Sequence, residues 1–314
     1  MLGTLEEHYD RVATALTDGR VIPFFGAGVN LCNREAGVEW ELGGKYFPSG
    51  GELSEYLAKK FSYPGEDRWD LTRVSQYVAT MVGPGPLYSE LRKIFKATPE
   101  LTLLHKFFAA IHDHLLLVTT NYDDLVERAL EGAGKPYDLV VYEAEDKVRR
   151  GKFRHIAPDG KERWIDKPNK YPNLPLDEEG RLERAAVLKI HGAFDRQDAA
   201  RDNYVITEDH YIDYLMRTDI SHLVPVTLAQ KLGHSHFLFL GYSLRDWNLR
   251  AILHRIWGEQ RLSYNSWSVQ LNPQPLEQRF WDRRNVEILD VSLREYIAAL
   301  NDRLKVLPPS EISG

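Results

Sequence analysis

Asn121 and Asp123 stand in the segment TTNYDD and His191 in LKIHGAFD, each directly behind an apolar run. An asparagine amide donates and accepts at once, so Asn121 could hold a water or a sugar hydroxyl, with Asp123 as a supporting acceptor. An imidazole titrates close to neutral pH, which suits His191 to general-base work. Plainer uses fit the same residues: Asn and Asp favour helix N-caps, and a histidine at a strand end can be a hydrogen-bonded spacer. Three more apolar runs end in small or polar residues. FFGAGVN carries Gly26, Ala27, Gly28 and Asn30, GYSLRDWN carries Gly241 and Ser243, and VQLNP carries Asn272. Glycines there permit tight turning and let backbone amides at a helix start approach a phosphate. Leu31 stands where a third glycine of the dinucleotide fingerprint would fall, so the first loop by itself serves turning geometry as well as ligand binding.

These residues need elements to hold them. Strands are expected at 21–25, 115–120, 139–142, 236–240, 266–271 and 286–289, with another in AVLKIHGAFD and a short one in YVITEDHYIDYL. Pro23, lacking an amide donor, argues against a central place for the first. Three-and-four spacing predicts helices over 5–17, 52–62, 70–82, 87–96 and 101–112, another opening at NYDD, and one capped by Thr207. The remainder alternates, with helices at 246–258, 275–284 and 292–304. Alternation of this kind predicts an α/β fold: a Rossmann-like parallel sheet with helices on both faces. A smaller helical lobe, about 50–112, is inserted after the first strand. Residues 143–184 are rich in charge, Pro and Gly and read as an insertion or flap outside the core; 1–307 form one domain and 308–314 a short tail without a sensor domain.

The chain has 46 acidic and 40 basic side chains, a net charge of -6 that gives no general field for nucleic acid. A single cysteine, Cys32, excludes an internal disulfide framework and a four-cysteine zinc site, and fits a reducing cytoplasm. His112 with His114 and His234 with His236 are two apart, but no cysteine or carboxylate pattern completes a metal cage around them. No apolar run approaches the roughly 18 residues of a membrane span, and the charged N-terminus is unlike a secretory signal.

Taken in order, GAGVN, TTNYD, KIHG, GYSLRDWN and VQLN resemble the motif set of the sirtuin superfamily over residues 21–290. The similarity is greatest to its bacterial members from anti-phage defence systems, in which ITEDHYIDYL and GYSLRDWN are typical. The resemblance implies binding of NAD and cleavage of its nicotinamide glycosidic bond. Sirtuin deacylases carry four zinc-binding cysteines after the histidine motif and a Pro-x-Phe-Arg element after the glycine loop. Neither is found here, so water replaces acyl-lysine as the expected acceptor and no metal is expected.

By the same resemblance, Asn121 positions water or ribose hydroxyls, Asp123 supports it and His191 is the base. Gly26, Ala27, Gly28, Asn30, Gly241 and Ser243 bind NAD, with the pyrophosphate on the Gly26–Gly28 backbone and near Ser243; Asn272 lies near the adenosine ribose. A cell that makes an NAD hydrolase needs a brake, either 143–184 over the cleft or assembly. The expected partners are further copies of the chain and a separate sensor such as a HerA-type ATPase or a short Argonaute. The alternatives are a sensor that binds NAD or ADP-ribose without cleaving it, and an NAD-dependent deacylase; a dehydrogenase fits less well, since no acidic ribose clamp is evident on the next strand.

Overall fold

The computed structural model describes residues 4–35, 37–111, 115–172, 174–178, 181–217, 219–242, 250, 253, 256 and 264–313. Its centre is a nine-stranded sheet. The strands are β1 (Val21–Phe25), β2 (Leu116–Thr119), β3 (Tyr137–Tyr142), β4 (Phe153–Ile156), β5 (Glu162–Trp164), β6 (Ala185–Lys189), β9 (His236–Leu240), β10 (Ser266–Val269) and β11 (Val286–Leu289). Their order is β11-β10-β9-β1-β2-β6-β3-β4-β5. Neighbours from β11 to β3 run parallel, and β4 and β5 add an antiparallel hairpin at one edge. A separate pair joins β7 (Gly192–Ala193) to β8 (Asn203–Tyr204).

Helices cover both faces. Val21, Phe25, Leu117, Val187, Leu238 and Leu240 face α1 (Leu5–Thr17), α5 (Leu103–Ala110), α6 (Leu125–Gly132) and α10 (Leu293–Leu304). Ile22, Phe24, Val118, Leu188 and Phe239 face α7 (Glu208–Met216), α8 (Val226–His234) and Trp281 of α9 (Pro275–Asp282). This two-sided burial is why the parallel strands read as unbroken apolar runs. Thr207 caps α7 by accepting from His210 N–H, as its position before the helical pattern predicts. Of the helix expected at 246–258, only Arg250, Leu253 and Ile256 are described, and the latter two are buried in the core.

Four readings of the sequence change. β1 is central, between β2 and β9, despite Pro23. Backbone donors alternate sides along a strand, and Gly26 donates to Leu240 of β9, so Pro23 turns its nitrogen toward β2. The ladder with β2 begins past the missing donor, at Phe24 and Phe25, while the ladder with β9 runs over all five residues of β1 and holds it in the centre. The polar stretch 143–184 supplies β4 and β5, with β5 at the sheet edge, and buries Phe153, Ile165, Leu174 and Leu182 in the core. α2 (Gly50–Lys60), α3 (Leu71–Met81) and α4 (Pro84–Phe95) share one core cluster with Tyr122, Phe194 and Tyr204, whereas α5 packs on the sheet. The tail contains α11 (Pro309–Ser313), tied down by Lys106 Nζ donating to Glu311 at 2.6 Å.

Two buried histidines predict an acid weakness. His8 shares a hydrogen with the Tyr296 hydroxyl at 2.9 Å, and His105 shares one with Thr102 Oγ1 at 2.7 Å. Burial first, then Arg11 and Arg303, lowers His8 to about 4; burial, then Arg128, lowers His105 to about 3. Unfolding lets both take up protons below the ordinary histidine value of 6.5. Their contribution is therefore complete above that pH and is lost as pH falls toward 4. The expected loss between pH 7 and pH 5 is about 1–2 kcal/mol per histidine in urea unfolding. A folded His105→Gln variant should lose correspondingly less over the same interval.

Candidate active site

The chain reaches β2 on one side of β1 and, after β6, crosses to β9 on the other. This change of direction falls between β1 and β9, and open parallel sheets take ligands outside the carboxyl ends of the strands at such a point.

The glycines at this point lock two strand ends together. Gly26 N–H donates to Leu240 O and Gly28 N–H to Gly241 O, both at 3.0 Å. Gly241 has φ +73°, and a Cβ there would lie 2.7 Å from Gly28 C and closer still to Val29 N. A Cβ on Gly26 or Gly28 would meet Gly241 O at 2.8 or 2.7 Å. The close approach that makes glycine necessary is thus between backbones, and the Gly28 amide is already engaged. Tyr242 extends the lock, donating to Phe25 O at 3.1 Å and sharing a hydrogen with Thr120 Oγ1 at 2.5 Å.

Asn121 follows β2 by two residues. Its backbone N–H donates to Thr119 Oγ1 at 2.9 Å and its Nδ2 to Gly26 O at 3.2 Å, so the side chain is anchored to the glycine loop. Its amide oxygen is the acceptor left for a ligand. Asp123, expected to support Asn121, instead accepts from Asn30 Nδ2 at 3.1 Å and from Leu125 N–H at 3.1 Å. It therefore takes up the first amide of α6 and holds Asn30 at once. Burial pushes the Asp123 carboxyl up from the ordinary range, opposed by Lys189 and by the Asn30 bond.

His191 lies two residues beyond β6. Ile190 N–H donates to Thr119 O at 3.0 Å, which keeps the His191 segment alongside the end of β2. The imidazole is 3% exposed, edge-on to the rings of Tyr211 and Tyr214 at 5.3 Å each, with Nδ1 3.4 Å from the Tyr211 hydroxyl. Gly192, at φ +84°, admits the backbone of β8: a Cβ would stand 2.8 Å from Asn203 C.

The sequence reading missed Lys189, Glu127, Tyr211 and Tyr214. Lys189 is fully buried at the end of β6 and bonds Glu127 Oε1 at 2.7 Å. Its signal was visible, since a lysine in AAVLKIHG interrupts an otherwise apolar run. The two tyrosines are three apart on α7, and nothing local pairs them with a histidine about 20 residues earlier in the chain.

Asn272 lies three residues past β10 with left-handed backbone (φ 51°), its N–H donating to Asp290 Oδ1 at 2.8 Å and its side chain exposed. Ser243, His112 and His114 lie outside the described residues. His234 Nδ1 meets Gln230 O and His236 Nδ1 meets Asn265 O. Among the described residues, no group of three or more His, Cys, Asp or Glu could hold a metal ion, and no helix is long and apolar enough to cross a membrane.

A family model described as the SIR2-like domain matches residues 115–289, more than half of the chain. The chain belongs to the SIR2-like family. This SIR2-like chain is 24% identical over 281 residues to a defense-associated sirtuin 2 of Bacillus subtilis, covering 88% of the chain and 23% of that relative. It is 28% identical over 251 residues to the NAD(+) hydrolase ThsA of Acinetobacter baumannii (strain 532279), covering 79% of the chain and 41% of the relative. The Bacillus cereus (strain MSX-D12) ThsA is 27% identical over 228 residues, with coverages of 70% and 38%. The chain thus spans less than half the length of each of these relatives.

Proposed function

We propose that the chain hydrolyses NAD to nicotinamide and ADP-ribose. The observation that carries this reading is the meeting of three strand ends: Asn121 is anchored on the Gly26 carbonyl, and the His191 segment is held beside it through Ile190 and Thr119. The names of the ThsA relatives point the same way.

Cleavage breaks the bond between the ribose anomeric carbon and the pyridinium nitrogen. Nicotinamide leaves neutral with the bonding electron pair, water adds to the carbon, and the water gives up one proton. Positive charge grows on the sugar, so a neutral amide acceptor that orients water or the ribose hydroxyls is useful there. Asn121 has that role and His191 takes the proton; Asp123 works at one remove by holding Asn30. The Gly26–Gly28 turn, Ala27, Asn30, Gly241 and Ser243 bind the dinucleotide, and Asn272 lies toward the adenosine ribose. One observation favours binding without cleavage, namely the burial of the His191 ring. Apo geometry often tightens only in the complex, so the product decides.

The test is chromatography after incubation with NAD: nicotinamide with ADP-ribose supports hydrolysis, and bound but unchanged dinucleotide overturns it. The wider proposal is a cytoplasmic toxic effector of anti-phage defence, restrained by assembly with further copies and a separate sensor. Full activity as an isolated monomer in size-exclusion fractions rejects that restraint.

A further inference from the structure

Lys189 has no access to solvent and stands on the strand that leads to His191. Its Nζ donates to Tyr122 O at 3.4 Å, to Asp123 O at closer range, and to Glu127 Oε1 at 2.7 Å. Those contacts use all of its protons. Residues 120–123 have neither helical nor strand structure, so their carbonyls need partners from elsewhere. Tyr122 O has a second donor in Phe194 N–H at 2.9 Å, whereas Asp123 O relies on the lysine.

A buried ion pair is a costly way to fill this space, because an apolar pair of the same shape is often as stable or more so. Its distinctive effect is geometric. One cation joins the segment bearing Asn121 and Asp123 to the strand bearing His191, and Glu127, in the first turn of α6, neutralises it. We propose that Lys189 is a positioning residue that fixes Asn121 relative to His191 through the Tyr122 and Asp123 carbonyls. The assignment rests on the hydrolase reading above, but its structural half is measurable without turnover.

Lys189→Met alone strands the Glu127 carboxylate, so the informative variant is Lys189→Met/Glu127→Leu, measured with the wild type for NAD kinetics and amide deuterium exchange. The expected result is a folded protein with KM for NAD within about threefold of wild type, kcat lowered at least about tenfold, and faster exchange at residues 121–124. Unchanged kcat and unchanged exchange overturn the proposal and make the pair structural filling. Should the double variant fail to fold, Lys189→Gln/Glu127→Gln, an amide pair of similar length, is read by the same two criteria. A wild type that binds but does not cleave NAD removes the hydrolase reading, and exchange at 121–124 then decides on Lys189 by itself.

Discussion

Asn121→Ala is expected to lower nicotinamide release about 10²- to 10³-fold while leaving the fold intact, the cost of losing one well-placed polar group that acts on developing charge. The structural cost is small by comparison. The side chain gives up one part-buried hydrogen bond, to Gly26 O, worth about 1 kcal/mol. Folding and turnover should therefore separate: a circular-dichroism melt close to wild type beside a nearly silent chromatogram. His191→Ala should lose about 10²- to 10⁴-fold by removing the base, and because the two act in one step their losses should not add. Turnover within a few-fold of wild type in either variant removes that residue from the chemistry.

Gly241→Ala should do the reverse, damaging structure and function together. Left-handed backbone costs an L-residue about 1–2 kcal/mol. The new methyl also has nowhere to go, since its neighbours are the backbone of Gly28 and Val29 and not a movable side chain. A destabilisation of roughly 2–4 kcal/mol is expected in urea unfolding, with loss of NAD binding because the Gly26–Gly28 turn must shift. Wild-type stability together with wild-type binding would show that the two loops are not interlocked.

What the sequence made legible was whatever local pattern encodes. Alternating apolar runs and helical spacing gave the parallel sheet, its two helical layers and the cap at Thr207. The strand-end positions of Asn121 and His191 followed from those runs. Partnership across the chain was not legible. Asp123 pairs with Asn30, which is 93 positions away, and Lys189 pairs with Glu127, which is 62 away. Pro23 misled because the complete ladder to β9 uses the other side of the strand and holds β1 without that donor. The 143–184 stretch misled because its charges dominate the composition while a few spaced apolar residues do the burying.

That stretch also governs how the sheet meets its surroundings. The outermost strand, β5, is three residues long, and Glu162 and Arg163 on it are exposed. Glu162 is already claimed by Arg154 and Arg201, and Arg149 lies over the Trp164 ring at 4.5 Å. A short, charged, cation-capped border is a poor template for another chain's backbone. Sheet-to-sheet annealing of copies through this border is disfavoured, which protects a long parallel sheet from fibrous aggregation.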